Sequence, residues 1–261
     1  MVVHSGDADI AYEVLGKGPP LVLLHPFPAN REFWRPAAEL LTNRFQLILP
    51  DLRGHGDSGV GGGPATMQKH AADLLRVCDA AGIRKATFAG ASIGGYVLME
   101  FWRRHRERVA RLVLADTRAP ADAEEARASR LKSAQDVQKN GPEPFIASMI
   151  PKLIGQTTRT NRPDLVESAG KMMMRMTVDG IAAVQQGMAA RPDSVPTLKT
   201  INVPVLAMVG DEDVLTPPLD AELIRQNIAG SSLRVIPRAG HYALFEQHEA
   251  AVTVMREFLG N

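Results

Sequence analysis

The feature that most limits what this chain can fold into is the stretch Ala86–Gly95, Ala-Thr-Phe-Ala-Gly-Ala-Ser-Ile-Gly-Gly. It opens as a short apolar run that reads as a buried strand, and the residues behind it, Tyr96–Trp102, read as a helix. Ser92 therefore falls at a strand-to-helix turn, inside Gly90-Ala91-Ser92-Ile93-Gly94, the G-x-S-x-G pattern. Small residues on both sides let strand and helix approach closely, and the sharp turn pushes the hydroxyl out above a sheet. Unpaired N–H groups at the start of the helix then face the reacting centre. Chance alone produces the five-residue pattern in roughly one such chain in fifteen, so it needs partners elsewhere in the sequence.

The rest of the chain supplies a matching frame. Residues 2–4 and 10–14 read as a hairpin, and 21–24, 47–49, 110–114, 203–209 and 233–236 as strands. Helical spacing covers 31–43, 67–81, 217–228 and 247–259. Short apolar strands alternating with amphipathic helices predict a mostly parallel, doubly wound α/β sheet. Between Asp116 and Val203 the alternation stops, and 122–139, 143–154, 162–176 and 179–190 all read as helices. The expected organisation is a core formed by 1–117 and 197–261, with an all-helical cap at 118–196 over the carboxyl edge of the sheet.

Composition narrows the partners. Hydrophobic residues at 45% and charged residues at 23% are ordinary for a globular chain with a sizeable core. A net charge of +1 with no dense basic run argues against nucleic acid. Cys78 is the single cysteine, so no intrachain disulfide forms, and its helical context reads as core. No secretory leader or membrane-length apolar run is visible, so a cytoplasmic protein with no membrane partner is expected, as monomer or homodimer.

The chemically capable residues His25, Asp51, Ser92, Asp116, Asp213 and His241 each follow a predicted strand, on the edge where parallel sheets bind ligands. A serine hydroxyl needs a general base. Of the seven histidines, His4, His70, His105 and His248 are expected on solvated surfaces, while His25 and His55 sit in tight loops that suggest structural roles. His241, after the last strand in Arg238-Ala239-Gly240-His241-Tyr242, is the candidate base. An acid that fixes its tautomer should lie between serine and histidine, where Asp211, Glu212 and Asp213 all stand. No H-E-x-x-H, Cys/His cluster or phosphate-loop context is present, so neither metal nor cofactor is expected.

Taken together, His25-Pro26-Phe27-Pro28, Asp51–Ser58, Gly90–Gly95, Gly210–Asp213 and Gly240-His241 resemble the α/β-hydrolase superfamily over essentially the whole chain. Within it, the chain looks most similar to small esterases and lactonases of the 3-oxoadipate enol-lactonase kind. The resemblance implies that Asp213 is the acid and that the N–H groups of Phe27 and Ile93 form the oxyanion hole. Pro26 departs from the usual His-Gly pair, without removing either donor. The serine also sets the chain apart from similar epoxide hydrolases and haloalkane dehalogenases, whose nucleophile is aspartate. The implied activity is cofactor-independent hydrolysis of small esters or lactones through an acyl-enzyme on Ser92. The alternatives are a triad-bearing ligand sensor with little turnover, a carbon–carbon bond hydrolase or a perhydrolase. Trp34, Tyr242, Val214 and Met149 are the candidate substrate contacts. The other cap methionines read mostly as core filler, and the pocket is expected to be closed and mostly apolar.

Overall fold

Eight short strands form one sheet in the order β1-β2-β4-β3-β5-β6-β7-β8 in the computed structural model, which describes residues 1–260. They are β1 Val2–Ser5, β2 Ala8–Leu15, β3 Pro20–Leu24, β4 Gln46–Pro50, β5 Ala86–Ala91, β6 Val109–Ala115, β7 Val205–Gly210 and β8 Ser232–Ile236. The hairpin strands β1 and β2 pair antiparallel, β2 runs antiparallel to β4, and every pairing from β4 through β8 is parallel. The central strands are buried on both faces, which explains why Leu21–Leu24 and Leu47–Leu49 carry no polar alternation.

Helices cover both faces: α1 Arg35–Leu41, α2 Met67–Ala80 and α3 Ile93–His105 in the first half of the chain. The expected helix over 31–43 is divided. Residues Arg31–Trp34 form a 3₁₀ turn, and α1 starts only at Arg35. Pro36 accounts for the division, because proline lacks the N–H an ongoing helix needs and is tolerated only in a first turn.

Between β6 and β7 the chain is helical: α4 Glu124–Asn140, α5 Pro142–Leu153, α6 Gln156–Asn161, α7 Pro163–Met173, α8 Val178–Ala189 and α9 Val195–Leu198. Of these, α6 and α9 are short and were not expected. The chain closes with α10 Pro218–Asn227, α11 Ala243–Glu246 and α12 His248–Leu259. No described helix is long and apolar enough to cross a membrane. Because β3 to β8 are parallel, the segments after β3, β5, β6, β7 and β8 all leave the sheet at one edge.

Candidate active site

The turn after β5 holds Ser92 at φ 53° and ψ −114°, a left-handed conformation that costs energy for any residue with a Cβ. The surrounding fold enforces it. Ser92 N–H donates to the Ala115 carbonyl at 2.9 Å, and Thr117 Oγ1 donates to the Ser92 carbonyl at 2.7 Å. Glycine is required on both sides for lack of space. A Cβ at Gly90 would lie 2.5 Å from the Gly94 carbonyl carbon, and one at Gly94 would lie 2.7 Å from the Leu24 carbonyl oxygen. The pattern thus reflects a three-way contact of β5, α3 and β3.

His241 is buried in the segment between β8 and α11, and Nδ1 lies 2.8 Å from Asp213 Oδ2. The loop after β7 folds around the carboxylate of Asp213. Oδ1 accepts the N–H groups of Leu215 at 2.8 Å and Thr216 at 2.9 Å, and Oδ2 also accepts Thr216 Oγ1 at 2.6 Å. Burial by itself raises the Asp213 pKa. The facing His241, with hydrogen bonds from His241 and Thr216, outweighs burial and holds the carboxyl below its ordinary range. The neighbouring acids do other work. Asp211 is exposed and accepts the Ala239 N–H at 3.2 Å, while Glu212 accepts the Thr157 N–H at 2.8 Å, at the start of α6.

Ser92, Phe27 and His241 line one cavity of about 290 Å³. The N–H groups of Phe27 and Ile93 have no acceptor among the described residues. Ser92 Oγ likewise makes no hydrogen bond among them, as is common in such sites before substrate binds. The arrangement offers a serine at a strained turn, an imidazole whose Nδ1 is bound to a carboxylate, and unsatisfied N–H donors beside them. Those are the parts of nucleophilic acyl transfer. Among the described residues, no cluster of three or more His, Cys, Asp or Glu is disposed to hold a metal ion.

The remaining residues at this edge of the sheet stay outside the cavity. His25 Nδ1 bonds the Pro26 carbonyl at 2.9 Å, and its Nε2 accepts the Leu52 N–H at 2.9 Å, stitching two loops together. Asp51 is buried against Arg31, its Oδ2 2.5 Å from Nη1. Asp116, at φ 45°, accepts the Gly210 N–H at 2.9 Å. Burial, reinforced by the nearby Asp213 charge, pushes the Asp116 carboxyl well above the usual range.

Three of the four expected substrate contacts are corrected. Trp34 and Tyr242 are both fully buried on either side of Phe33, at centroid distances of 5.4 and 5.2 Å, in a layer that does not line the cavity. Val214 is 70% exposed, because the loop turns Asp213 and Thr216 inward and Val214 outward. Met149 does line the cavity. His70, expected on a solvated surface, is fully buried.

The cavity walls also differ from the closed apolar roof that was expected. The α5 residues Phe145, Ser148, Met149, Lys152 and Leu153 share one helix face, and Ala126, Ser129, Arg130 and Ser133 share one face of α4. Ala126, Ser129, Ser148 and Lys152 are solvent-exposed, so the cavity opens between the two helices, and much of its wall is polar. On α5 the apolar Phe145, Met149 and Leu153, at i, i+4 and i+8, are the sequence signal that could have found its part of the wall.

The fold and this geometry define an α/β hydrolase, and a family model for the alpha/beta hydrolase fold matches residues 19–247: the chain belongs to that family. Among solved structures, a thermophilic esterase from Thermogutta terrifontis is 38% identical, with a TM-score of 0.96 over 99% of this chain and 98% of that one. A protein from Azorhizobium caulinodans, provisionally named a carbamate hydrolase, is 31% identical over 91% of this chain and 90% of its own. The 3-oxoadipate enol-lactonase 2 of Acinetobacter baylyi is 26% identical over 97% and 95%.

Proposed function

We propose that the chain is a serine hydrolase of small carboxylic esters or lactones. The observation that carries the reading is the buried Asp213–His241 pair, 2.8 Å apart, opening onto the same cavity as the strained Ser92. In this mechanism His241 Nε2 takes the Ser92 proton as Oγ attacks the carbonyl carbon. The Phe27 and Ile93 N–H groups hold the oxyanion. His241 then delivers the proton to the departing alkoxide, and a water activated by the same nitrogen releases the acid. Residues 118–196 act as the cap, and 1–117 with 197–261 as the catalytic core. The esterase and lactonase names among the relatives support the substrate class.

Steady-state turnover of 4-nitrophenyl butyrate and of a simple lactone tests the proposal. Ser92→Ala should lower turnover by at least about 10³-fold and abolish fluorophosphonate labelling, with the circular dichroism spectrum unchanged. Labelling that persists at another serine removes Ser92 as nucleophile. A wild-type protein that stalls after one equivalent of product would be a sensor instead.

The cavity also sets an expected chain length. A second hollow of about 250 Å³ lies beside the first and shares Ser133, Phe145 and Ser148 with it. The Phe145 ring, 5.8 Å from Phe27, stands between them. For wild type the optimum should fall among short acyl chains, each buried methylene adding up to about 0.8 kcal/mol until the wall is met. Phe145→Ala joins the hollows and should move the optimum to longer chains in kcat/KM from acetate to octanoate. An unmoved optimum would mean that acyl chains do not run past Phe145.

A further inference from the structure

His241 is tethered on both sides to one turn of a distant segment. The residue after it, Tyr242, donates its N–H to the Leu153 carbonyl at 3.0 Å. The residue before it, Gly240, donates to Glu246 Oε1 at 3.0 Å, and the Gly155 N–H donates to Glu246 Oε2 at 2.9 Å. Leu153 ends α5 and Gly155 precedes α6, so both tethers reach the turn that joins these helices. Glu246 ends α11, is 4% exposed, and reaches back with its side chain to the residue before the imidazole.

At this point two backbones meet with no side chain between them. A Cβ at Gly155 would lie 2.6 Å from the Gly240 nitrogen, and one at Gly240 would run into the Gly155 backbone. Two buried N–H groups need an acceptor, and that need alone accounts for a carboxylate here. It does not account for where the donors stand, one beside His241 and the other beyond the end of a helix that lines the cavity. The bond to Asp213 fixes only Nδ1 of His241, and an imidazole held at one nitrogen can still pivot. The reach of Nε2 toward Ser92 then depends on the backbone at 240–242, which Glu246 and Leu153 hold.

We propose that Glu246 is a positioning residue, which sets His241 against Ser92 by clamping Gly240 to the Gly155 turn between α5 and α6. The inference rests on the hydrolase reading for His241 as base, whereas the clamp itself can be observed without turnover. Glu246→Gln leaves a single carbonyl oxygen, so one of the two N–H groups faces an NH₂ and the segments part.

That variant should lower kcat on 4-nitrophenyl butyrate by about 10²-fold with KM little changed, because the base acts only in the transition state. Gly155→Ala applies the displacement from the other side, with the carboxylate intact. The backbone there, at φ −59° and ψ 153°, admits alanine, so only the contacts with Gly240 and Glu212 change. Both variants should also shift or broaden the far-downfield NMR line of the His241 Nδ1 proton, which Asp213→Asn identifies by removing it. A fall in Tm with kcat and the NMR line unmoved is the mark of a purely structural glutamate and overturns the inference. A loss of kcat with the line unmoved overturns it too. A line moved in both variants of a protein that turns over neither ester nor lactone would remove the hydrolase reading and leave the clamp standing.

Discussion

Asp213→Asn should lower kcat by about 10⁴-fold, the size of effect known when the acid of a serine triad becomes an amide. The hydrogen bonds around the carboxylate give the reason. Oδ1 is fixed by two backbone N–H groups, from Leu215 and Thr216, and Oδ2 faces His241 Nδ1. An asparagine has one oxygen, and the two backbone donors draw it to the Oδ1 position. Its NH₂ then points at Nδ1, which must accept and so cannot keep its proton. The proton moves to Nε2, and the imidazole can no longer receive the one from Ser92. Thr216 can adapt to either arrangement by turning its hydroxyl. Asp211→Asn should cost less than about tenfold, because that side chain is exposed and bonds only the Ala239 N–H. Burst and steady-state kinetics on both variants check the pair of outcomes, and the reverse ranking would transfer the acid to Asp211.

That assignment also marks how far the sequence could be read. The strand–serine–helix turn was legible because it depends on local sterics: residues around 90 and 94 without Cβ atoms, and apolar runs on either side. The parallel sheet was legible for a similar reason, since the central strands are largely buried on both faces and show as short apolar runs, broken only by Thr87 in β5 and Arg111 in β6. Choosing Asp213 over Asp211 needed the family resemblance, because three consecutive carboxylates have no periodicity that separates them. Thr216, which binds both the carboxylate and the imidazole region, carried no signal beyond being a threonine before two prolines.

The cavity wall was the least legible part. Helix α4 is polar nearly all round, so its sequence declares a helix without declaring which face meets the substrate. Trp34 and Tyr242 failed for a different reason. Nearness in sequence to the oxyanion loop and the base does not say which side of the backbone a ring leaves from, and both rings leave toward Phe33. His70 could have been read correctly. It shares a face of α2 with Met67, Ala71, Leu74 and Val77, all buried, and the spacing places it inward despite its polarity.

The protein should lose stability steeply as pH falls below about 6.5, because three neutral histidines lie in its interior. His25, His55 and His70 are fully buried, and the His25 and His55 rings lie 4.8 Å apart. Burial pushes the pKa of His25 and of His70 down to about 3, and that of His55 well below its usual value, with neighbouring imidazoles adding to each shift. In the unfolded chain the same groups take up protons below about 6.5. Between there and about 3 the unfolded state holds more protons, so each histidine removes up to about 1.4 kcal/mol per pH unit as pH falls. Three together remove about 4 kcal/mol per pH unit. Asp51, Asp116, Asp220 and Glu246 oppose them, since burial raises their folded pKa values and lets the native state take protons first. The net slope is therefore smaller than the histidines alone would give, and it is weighed against a typical domain's stability of about 5–15 kcal/mol. Urea unfolding at several pH values measures the slope directly. His70→Leu keeps an apolar side chain on the buried face of α2 and should flatten the slope by about one proton, or 1.4 kcal/mol per pH unit. An unchanged slope in that variant would mean that His70 charges within the folded protein, and the neutral interior cluster would have to be abandoned as the cause of acid lability.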